Sequence, residues 1–390
     1  MYIALLGRQP ALSLAELERI FGEVNHFSDT TATFSTDSKP SIERLGGTQK
    51  LGLVIAELPT TAWSEASRAI VNHYAQQWRN RDGKITLGIS AYDFRINPRD
   101  VQKTGIILKG KLKQHSVSLR LIPNQDIALS TATSHHNKLG LADNKVELLV
   151  VRGKGKTIIA ESTGAQNITA LAARDQGRPK RDAFVGMLPP KLAQIMINLA
   201  TGNTDVDNAP ARVLDPFCGT GVVLQEALIM GHNAYGTDLS EKMVDYSRQN
   251  ISWLTTKYRL AQDWQVEQGD AMNTTWNGPI TAIASEAYLG QPFSAPPSPK
   301  KLEEVRGNCQ HIISEFLKNL QPQLKPNTTI CLAVPAWRDK EGAFAHLPLT
   351  KSLDALGYQP VTFKSVESRD LLYYRPDQIV ARELLVMIRK

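Results

Sequence analysis

From Pro189 to the C-terminus, apolar runs of strand length alternate with amphipathic stretches of helix length, and this alternation narrows the fold more than any other feature of the chain. Pro189-Pro190 open a helix over residues 191–201, as prolines can at a first turn. Strands at 212–214, 234–237, 265–267, 280–284 and 328–334 then interleave with helices at 221–230, 241–256, 302–320 and 350–356. The last two strands, 361–366 and 383–388, follow one another with no helix between. Such an order predicts a doubly wound α/β fold of Rossmann-like type with a mostly parallel sheet, closed by an antiparallel edge strand.

The N-terminal half reads differently. A strand at 2–6 precedes Ser13-Leu-Ala-Glu16, a capping box that opens a helix running to Phe21. Short strands near 32–35 and 51–57 follow. A helix over 64–78, a strand at 84–91, a lysine-rich helix over 100–114 and a strand at 117–122 come next. Strands 146–151 and 157–161 flank the basic turn Arg152-Gly-Lys-Gly-Lys156, which completes an α+β module. For 390 residues several domains are expected. We divide the chain into residues 1–60 (a ferredoxin-like α+β part), 61–173 (a second α+β region), a basic linker at 174–188, and the doubly wound domain at 189–390.

Charge is concentrated. Of the net +7, residues 61–182 carry +10, residues 1–60 carry −2, and residues 183–390 carry −1. A local excess of this size points to a polyanion such as RNA. Lys109, Lys111, Lys113 and Arg120 form one basic stretch, Arg152, Lys154 and Lys156 a second, and Arg178, Lys180 and Arg181 a third. Phosphate contact is the role assigned to the group, giving affinity and position more than sequence reading; for any single cation a solvated face remains the alternative. No run of eighteen apolar residues is present, so no membrane partner is expected. The first residues lack a basic region ahead of their apolar stretch and read as a strand, not a signal peptide. Three widely spaced cysteines (Cys218, Cys309, Cys331) match no metal pattern and suit a reducing cytoplasm.

The first strand of the doubly wound half ends in Asp215-Pro-Phe217-Cys218-Gly219-Thr220-Gly221, where such sheets bind ligands. Two glycines let backbone approach a ligand closely, and Asp215 can accept from an ammonium group. The loop has no Gly-Lys-[Ser/Thr] and no Gly-x-Gly-x-x-Gly spacing, so it matches neither phosphate-cradling type. Its carboxylate would repel pyrophosphate but suits the aminoacyl end of a zwitterionic, sulfonium-bearing cofactor. Asp238, ending the second strand, is placed to accept ribose hydroxyls, and Asp270-Ala271, after the third, to receive the exocyclic amine of adenine.

These residues resemble the site of class I S-adenosylmethionine-dependent methyltransferases, and the form of the loop is similar to their RNA and DNA amino-methyltransferase branch. The lead-in Val185-Gly-Met-Leu-Pro-Pro-Lys-Leu-Ala-Gln-Ile-Met-Ile-Asn198 and the tail Tyr374-Arg-Pro-Asp-Gln-Ile-Val-Ala-Arg-Glu383 resemble the THUMP-domain tRNA guanine-N2 methyltransferases. That resemblance implies a THUMP region in the N-terminal half, consistent with Ser134-His-His-Asn-Lys-Leu139. It also implies tRNA as substrate (other RNA remaining open) and S-adenosylmethionine as cofactor. An activating protein subunit is left open.

Members of that family carry Asp-Pro-Pro-Tyr or Asn-Pro-Pro-Tyr after the fourth strand. There the acidic or amide group accepts from the target amine and the aromatic ring stacks on the base. This chain reads Ser285-Glu286-Ala287-Tyr288-Leu289-Gly290. Aligned by the strand end, Glu286 takes the acidic position; aligned by the aromatic residue, Ser285 takes the first position and Tyr288 the last. The candidate catalytic residues are therefore Glu286, Tyr288 and Ser285. Three functions follow: methylation of a guanine N2 amine in tRNA, methylation of another base amine in rRNA or DNA, or RNA binding by a catalytically impaired fold.

Overall fold

The computed structural model describes residues 1–182, 188–204 and 206–390. Residues 183–187 of the linker, which include Val185 to Met187 of the lead-in motif, lie outside the described residues. The chain forms two compact units. One comprises Met1–Pro10, Glu23–Glu43 and Gly47–Ala170; the other comprises Ala11–Gly22, Arg44–Gly46 and Leu171–Lys390.

The first unit is built on eight strands: β1 (Tyr2–Leu6), β2 (Val24–Ser28), β3 (Thr31–Phe34), β4 (Thr48–Leu58), β5 (Ile85–Tyr92), β6 (Leu119–Leu121), β7 (Lys145–Arg152) and β8 (Thr157–Ala165). They order as β2-β3-β1-β4-β8-β7-β5-β6. Side-chain alternation along β7 explains the two-sided core. Val146, Leu148 and Val150 join one apolar cluster, and Leu149 and Val151 another. Four helices fall in this stretch of chain: α1 (Pro10–Phe21), α2 (Trp63–Gln77), α3 (Pro98–Lys113) and α4 (Thr131–His136). Ile70 and Tyr74 of α2 and Val101, Leu108 and Leu112 of α3 pack into the first cluster.

The second unit holds α5 (Ile168–Gln176) from Leu171 onward, then α6 (Pro190–Thr201), β9 (Arg212–Asp215), α7 (Val222–Ile229), β10 (Asn233–Asp238), α8 (Glu241–Tyr258), β11 (Trp264–Gln268), β12 (Ala282–Glu286), α9 (Pro299–Leu320), β13 (Thr329–Arg338), β14 (Phe344–Ala345), β15 (Tyr358–Pro360), β16 (Leu372–Tyr373) and β17 (Val380–Arg389). The sheet runs β11-β10-β9-β12-β13-β17-β15, with β14 paired to β13 and β16 to β17. Pairs from β11 to β13 are parallel, and β17 is antiparallel to both of its neighbours in the order. The order reverses between β9 and β12, which makes a topological switch point at the carboxyl end of β9.

Several details differ from the sequence expectation. The antiparallel strand lies one place in from the edge, because the three-residue β15 takes the outer position. No strand forms over 361–366: β15 stops at Pro360, one further bond runs from the Val361 amide to the Val386 carbonyl of β17 at 2.9 Å, and Phe363 is buried against the core. The helix expected over 350–356 is instead a 3₁₀ turn at Pro348–Lys351 followed by hydrogen-bonded turns. A further segment, read as linker, contains a buried anchor: Arg174 of α5 donates from Nε and Nη2 to both oxygens of Glu226 on α7, at 2.7 and 2.9 Å.

Helix α1 folds with the second unit from Ala11 onward. Leu12 and Ala15 enter its apolar core beside Leu192 and Met196. Glu16, fully buried, accepts from Asn198 Nδ2 at 2.7 Å and from the Gly46 amide at 2.9 Å. Glu18 accepts from the amides of Lys364 and Ser365, and Arg19 donates to the Leu199 carbonyl and to Thr329 Oγ1. Removing Glu16 strands buried donors, so Glu16→Ala should destabilise this unit by roughly 3 kcal/mol, measured by chemical denaturation.

Candidate active site

The carboxyl ends of β9, β10, β11 and β12 open onto a cavity of about 510 Å³. Asp215 sits at the end of β9, almost completely buried. Ser285 Oγ donates to its Oδ1 at 2.6 Å and the Phe217 amide at 3.3 Å. Burial in apolar surroundings raises the Asp215 carboxyl to about 7; the Ser285 and Phe217 bonds oppose this rise, while the negative charges of Asp238 and Glu286 add to it.

The loop after Asp215 is held from three sides. Its Cys218 amide donates to the Thr237 carbonyl and its Gly219 amide to Asp238 Oδ2, both at 2.9 Å, which fastens it to β10. From α8, Ser247 Oγ donates to the Gly219 carbonyl at 2.8 Å and Asn250 Nδ2 to the Thr220 carbonyl at 2.9 Å. Gly221 ends the loop at φ 79°, the left-handed region, as N-cap of α7. A Cβ there would meet Ser247 Oγ at 2.8 Å, so the glycine is needed both for conformation and for the approach of α8. Sequence reading did not single out Ser247 and Asn250. Their signal is two polar residues three apart on the face of α8 that is otherwise apolar.

Every cofactor-site residue named from sequence except Gly221 lines the cavity: Asp215, Phe217, Cys218, Gly219, Thr220, Asp238, Asp270 and Ala271. Phe217 lies edge-on to Phe316, with ring centres 5.2 Å apart. Burial pushes the Cys218 thiol well above its usual range, so it remains a neutral, packed group. Asp238 also accepts from the Ser240 amide, and Asp270 Oδ1 from the Met272 amide at 3.0 Å. Each carboxylate offers more acceptor sites than these bonds occupy.

At the far side stand Glu286, Ala287, Tyr288, Leu289 and Gly290. Glu286 ends β12, and Arg382 of β17 donates from Nε to its Oε1. Tyr288 is exposed at the cavity wall. Ser285 takes a different place: fully buried and bonded to Asp215, it is not part of the wall. Gly290, at φ 79°, turns the chain where a Cβ would meet Val305 Cγ1 at 2.8 Å.

The basic residues divide. Lys109, Lys113 and Arg120, with Lys84 and Ile106, line a groove of about 690 Å³ along α3 and the edge strand β6 of the first unit. Lys111 is turned to Asn72, its Nζ 3.2 Å from Oδ1. Arg152, the last residue of β7, is half-buried; in the turn to β8 Lys154 is exposed and Lys156 pairs with Glu57. In the second unit Arg178 is buried, with Asp175 Oδ1 at 3.6 Å, and so departs from the phosphate-contact role expected of it. Lys180 lies over the Tyr246 ring, and Arg181 is exposed.

Fold and cavity together define a Rossmann-like methyltransferase architecture. Residues 178–353 match the family model described as the RMKL-like methyltransferase domain, and residues 66–249 match a DNA methylase model. The chain is 32% identical over 169 residues to a tRNA (guanine(10)-N2)-dimethyltransferase of Methanothermobacter thermautotrophicus, covering 43% of this chain and 45% of that protein. It is 37% identical over 108 residues to the protein of the same name from Pyrococcus abyssi, covering 28% and 26%. The chain thus spans less than half the length of these relatives. The crystal structure of TrmN from Thermus thermophilus has a similar fold, with a TM-score of 0.53 at 16% identity, over 100% of this chain and 99% of that one.

Proposed function

We propose that this protein is an S-adenosylmethionine-dependent methyltransferase acting on the exocyclic N2 amine of a guanine in tRNA. In this reading the first unit supplies a THUMP-type RNA-binding region. The observation that carries it is the cavity wall, which presents four carboxylates (Asp215, Asp238, Asp270, Glu286) and no lysine or arginine among the described residues. Such a wall repels phosphate and attracts a ligand of net positive charge. S-adenosylmethionine, with a sulfonium and an ammonium against one carboxylate, fits that donor set, and apolar Leu188, Leu239, Ala271 and Ile312 offer flat contact for its adenine. When bound, the cofactor supplies an electrophilic methyl group.

The remaining work belongs to the chain. Asp215 accepts from the ammonium, Asp238 from ribose hydroxyls, and Asp270 from the adenine amine. A guanine amine is a poor nucleophile because its lone pair is delocalised into the ring. Glu286, as acceptor for one of its hydrogens, favours the pyramidal form that can attack, and Tyr288 stacks on the base. Holding both reactants in line supplies much of the acceleration. Ser285 acts behind the site, orienting Asp215. The names of the two curated relatives support tRNA guanine as the recipient. The DNA methylase match favours a second reading, with a base amine of another nucleic acid as acceptor.

Incubation with labelled S-adenosylmethionine and unmodified tRNA, rRNA or DNA, followed by nucleoside mass spectrometry, separates these. N2-methylguanosine in tRNA is the expected product. Transfer to another polymer or base replaces the substrate assignment, and cofactor binding without transfer leaves an RNA-binding protein. For the groove, replacing Lys109, Lys113 and Arg120 together by alanine should weaken RNA binding and lower the slope of log affinity against log salt by about 2 to 3. Cofactor affinity should not change. An unaltered salt slope in filter binding would place the RNA contacts elsewhere.

A further inference from the structure

Glu286 stands where the resembling family has an aspartate, and the difference is one methylene and one more rotatable bond. A longer carboxylate reaches further but is harder to hold in a single orientation, and loss of the two prolines loosens the segment that carries it. The structure offers a compensating contact. Arg382 lies on β17, which is separated from β12 by β13. Glu286 pairs with Ala333 of β13, and Ala333 with Leu384 of β17, so Arg382 is two residues further along on the same face as Leu384. From there its Nε donates to Glu286 Oε1. Arg382 is buried and does not itself line the cavity, whereas Glu286 does.

We infer that Arg382 is a positioning residue, which fixes Glu286 as an oriented acceptor for the incoming amine. The assignment rests on the methyl-transfer reading above. Two physical consequences favour an arginine in this position. One oxygen of Glu286 is committed to the guanidinium, so the other is the acceptor presented to substrate. The cation also offsets the repulsion among carboxylates gathered around one cavity, with Asp215 and Asp238 facing Glu286 from β9 and β10. A lysine would keep the charge but not the planar fork that sets the carboxylate plane.

The test is a double-substitution cycle on the full chain, with steady-state methyl transfer to tRNA and calorimetric binding of S-adenosylhomocysteine as readouts. Arg382→Met should lower kcat by about 100-fold, as misplacement of a reacting group by an ångström does, with KM for tRNA and cofactor-product affinity close to wild type. Arg382→Lys should recover activity to within about 10-fold of wild type. In a Glu286→Gln background neither change should cost anything further, because the arginine acts only through the carboxylate. Should Arg382→Met fail to fold, the same cycle with Arg382→Lys carries the test. Multiplicative losses in the double variants, or an unimpaired kcat in Arg382→Met, would overturn the assignment. A wild-type chain that binds cofactor product but methylates no nucleic acid overturns the methyl-transfer reading and this inference with it.

Discussion

Asp215→Ala should weaken S-adenosylmethionine binding on the order of 100-fold, the loss expected when a buried charged hydrogen-bond partner is removed. Calorimetry measures this directly, and unchanged affinity would remove Asp215 from the cofactor site. The pH dependence is equally specific. The carboxyl is pushed up to about 7 by burial, against an ordinary value of 3.8. Between those values the folded chain binds the proton that the unfolded chain has released. This group therefore adds stability at low pH and loses it as pH rises towards 7. An ammonium ligand needs the ionised form, so cofactor affinity should fall by about tenfold per pH unit below 7, the slope for one linked proton. Asp215→Asn, which cannot titrate, should flatten both profiles.

Glu286→Ala should reduce the turnover number by about 10²- to 10³-fold, comparable to deleting one oriented group at a centre of developing charge. The cofactor should still bind. Glu286 is one of the charges that raise Asp215, so its removal should let the chain hold cofactor slightly better on the acidic side. The substitution also leaves Arg382 without its carboxylate, and a thermal melt must accompany the kinetics. A variant that melts like wild type and turns over at the wild-type rate would exclude Glu286 from the chemistry.

Sequence revealed what is local and missed what is distant. The loop after β9 was legible because its glycines, the strand before it and the helix after it are contiguous in the chain between Arg212 and Ile229, and the order of strands places it at the switch point. Asp238 and Asp270 were legible for the same reason, each an aspartate at a strand end: Asp238 closes β10, and Asp270 stands two residues past β11. Glu286 could be placed by the strand end, but its partner could not: Arg382 is 96 residues away, and only the register of β12, β13 and β17 joins them. Ser285 shows the converse, since alternation along β12 points it away from Glu286 and onto Asp215. Arg178 was read as a surface cation from composition alone, and burial beside Asp175 is a tertiary fact. The three-residue β15 carries too few residues for any period to register.

The membership of α1 has a consequence for how the protein is made. Glu18 and Ser365, joined by a hydrogen bond, are 347 positions apart in the chain. A ribosome adding about 5–20 residues per second leaves this helix waiting on the order of tens of seconds for its partners to emerge. The intervening module, most of whose strands are already out, can fold meanwhile. The second unit can close only when the tail arrives, so expressing residues 171–390 alone would yield a sheet missing a piece of its own core. A nascent chain must shelter the apolar face of this helix until synthesis is nearly complete.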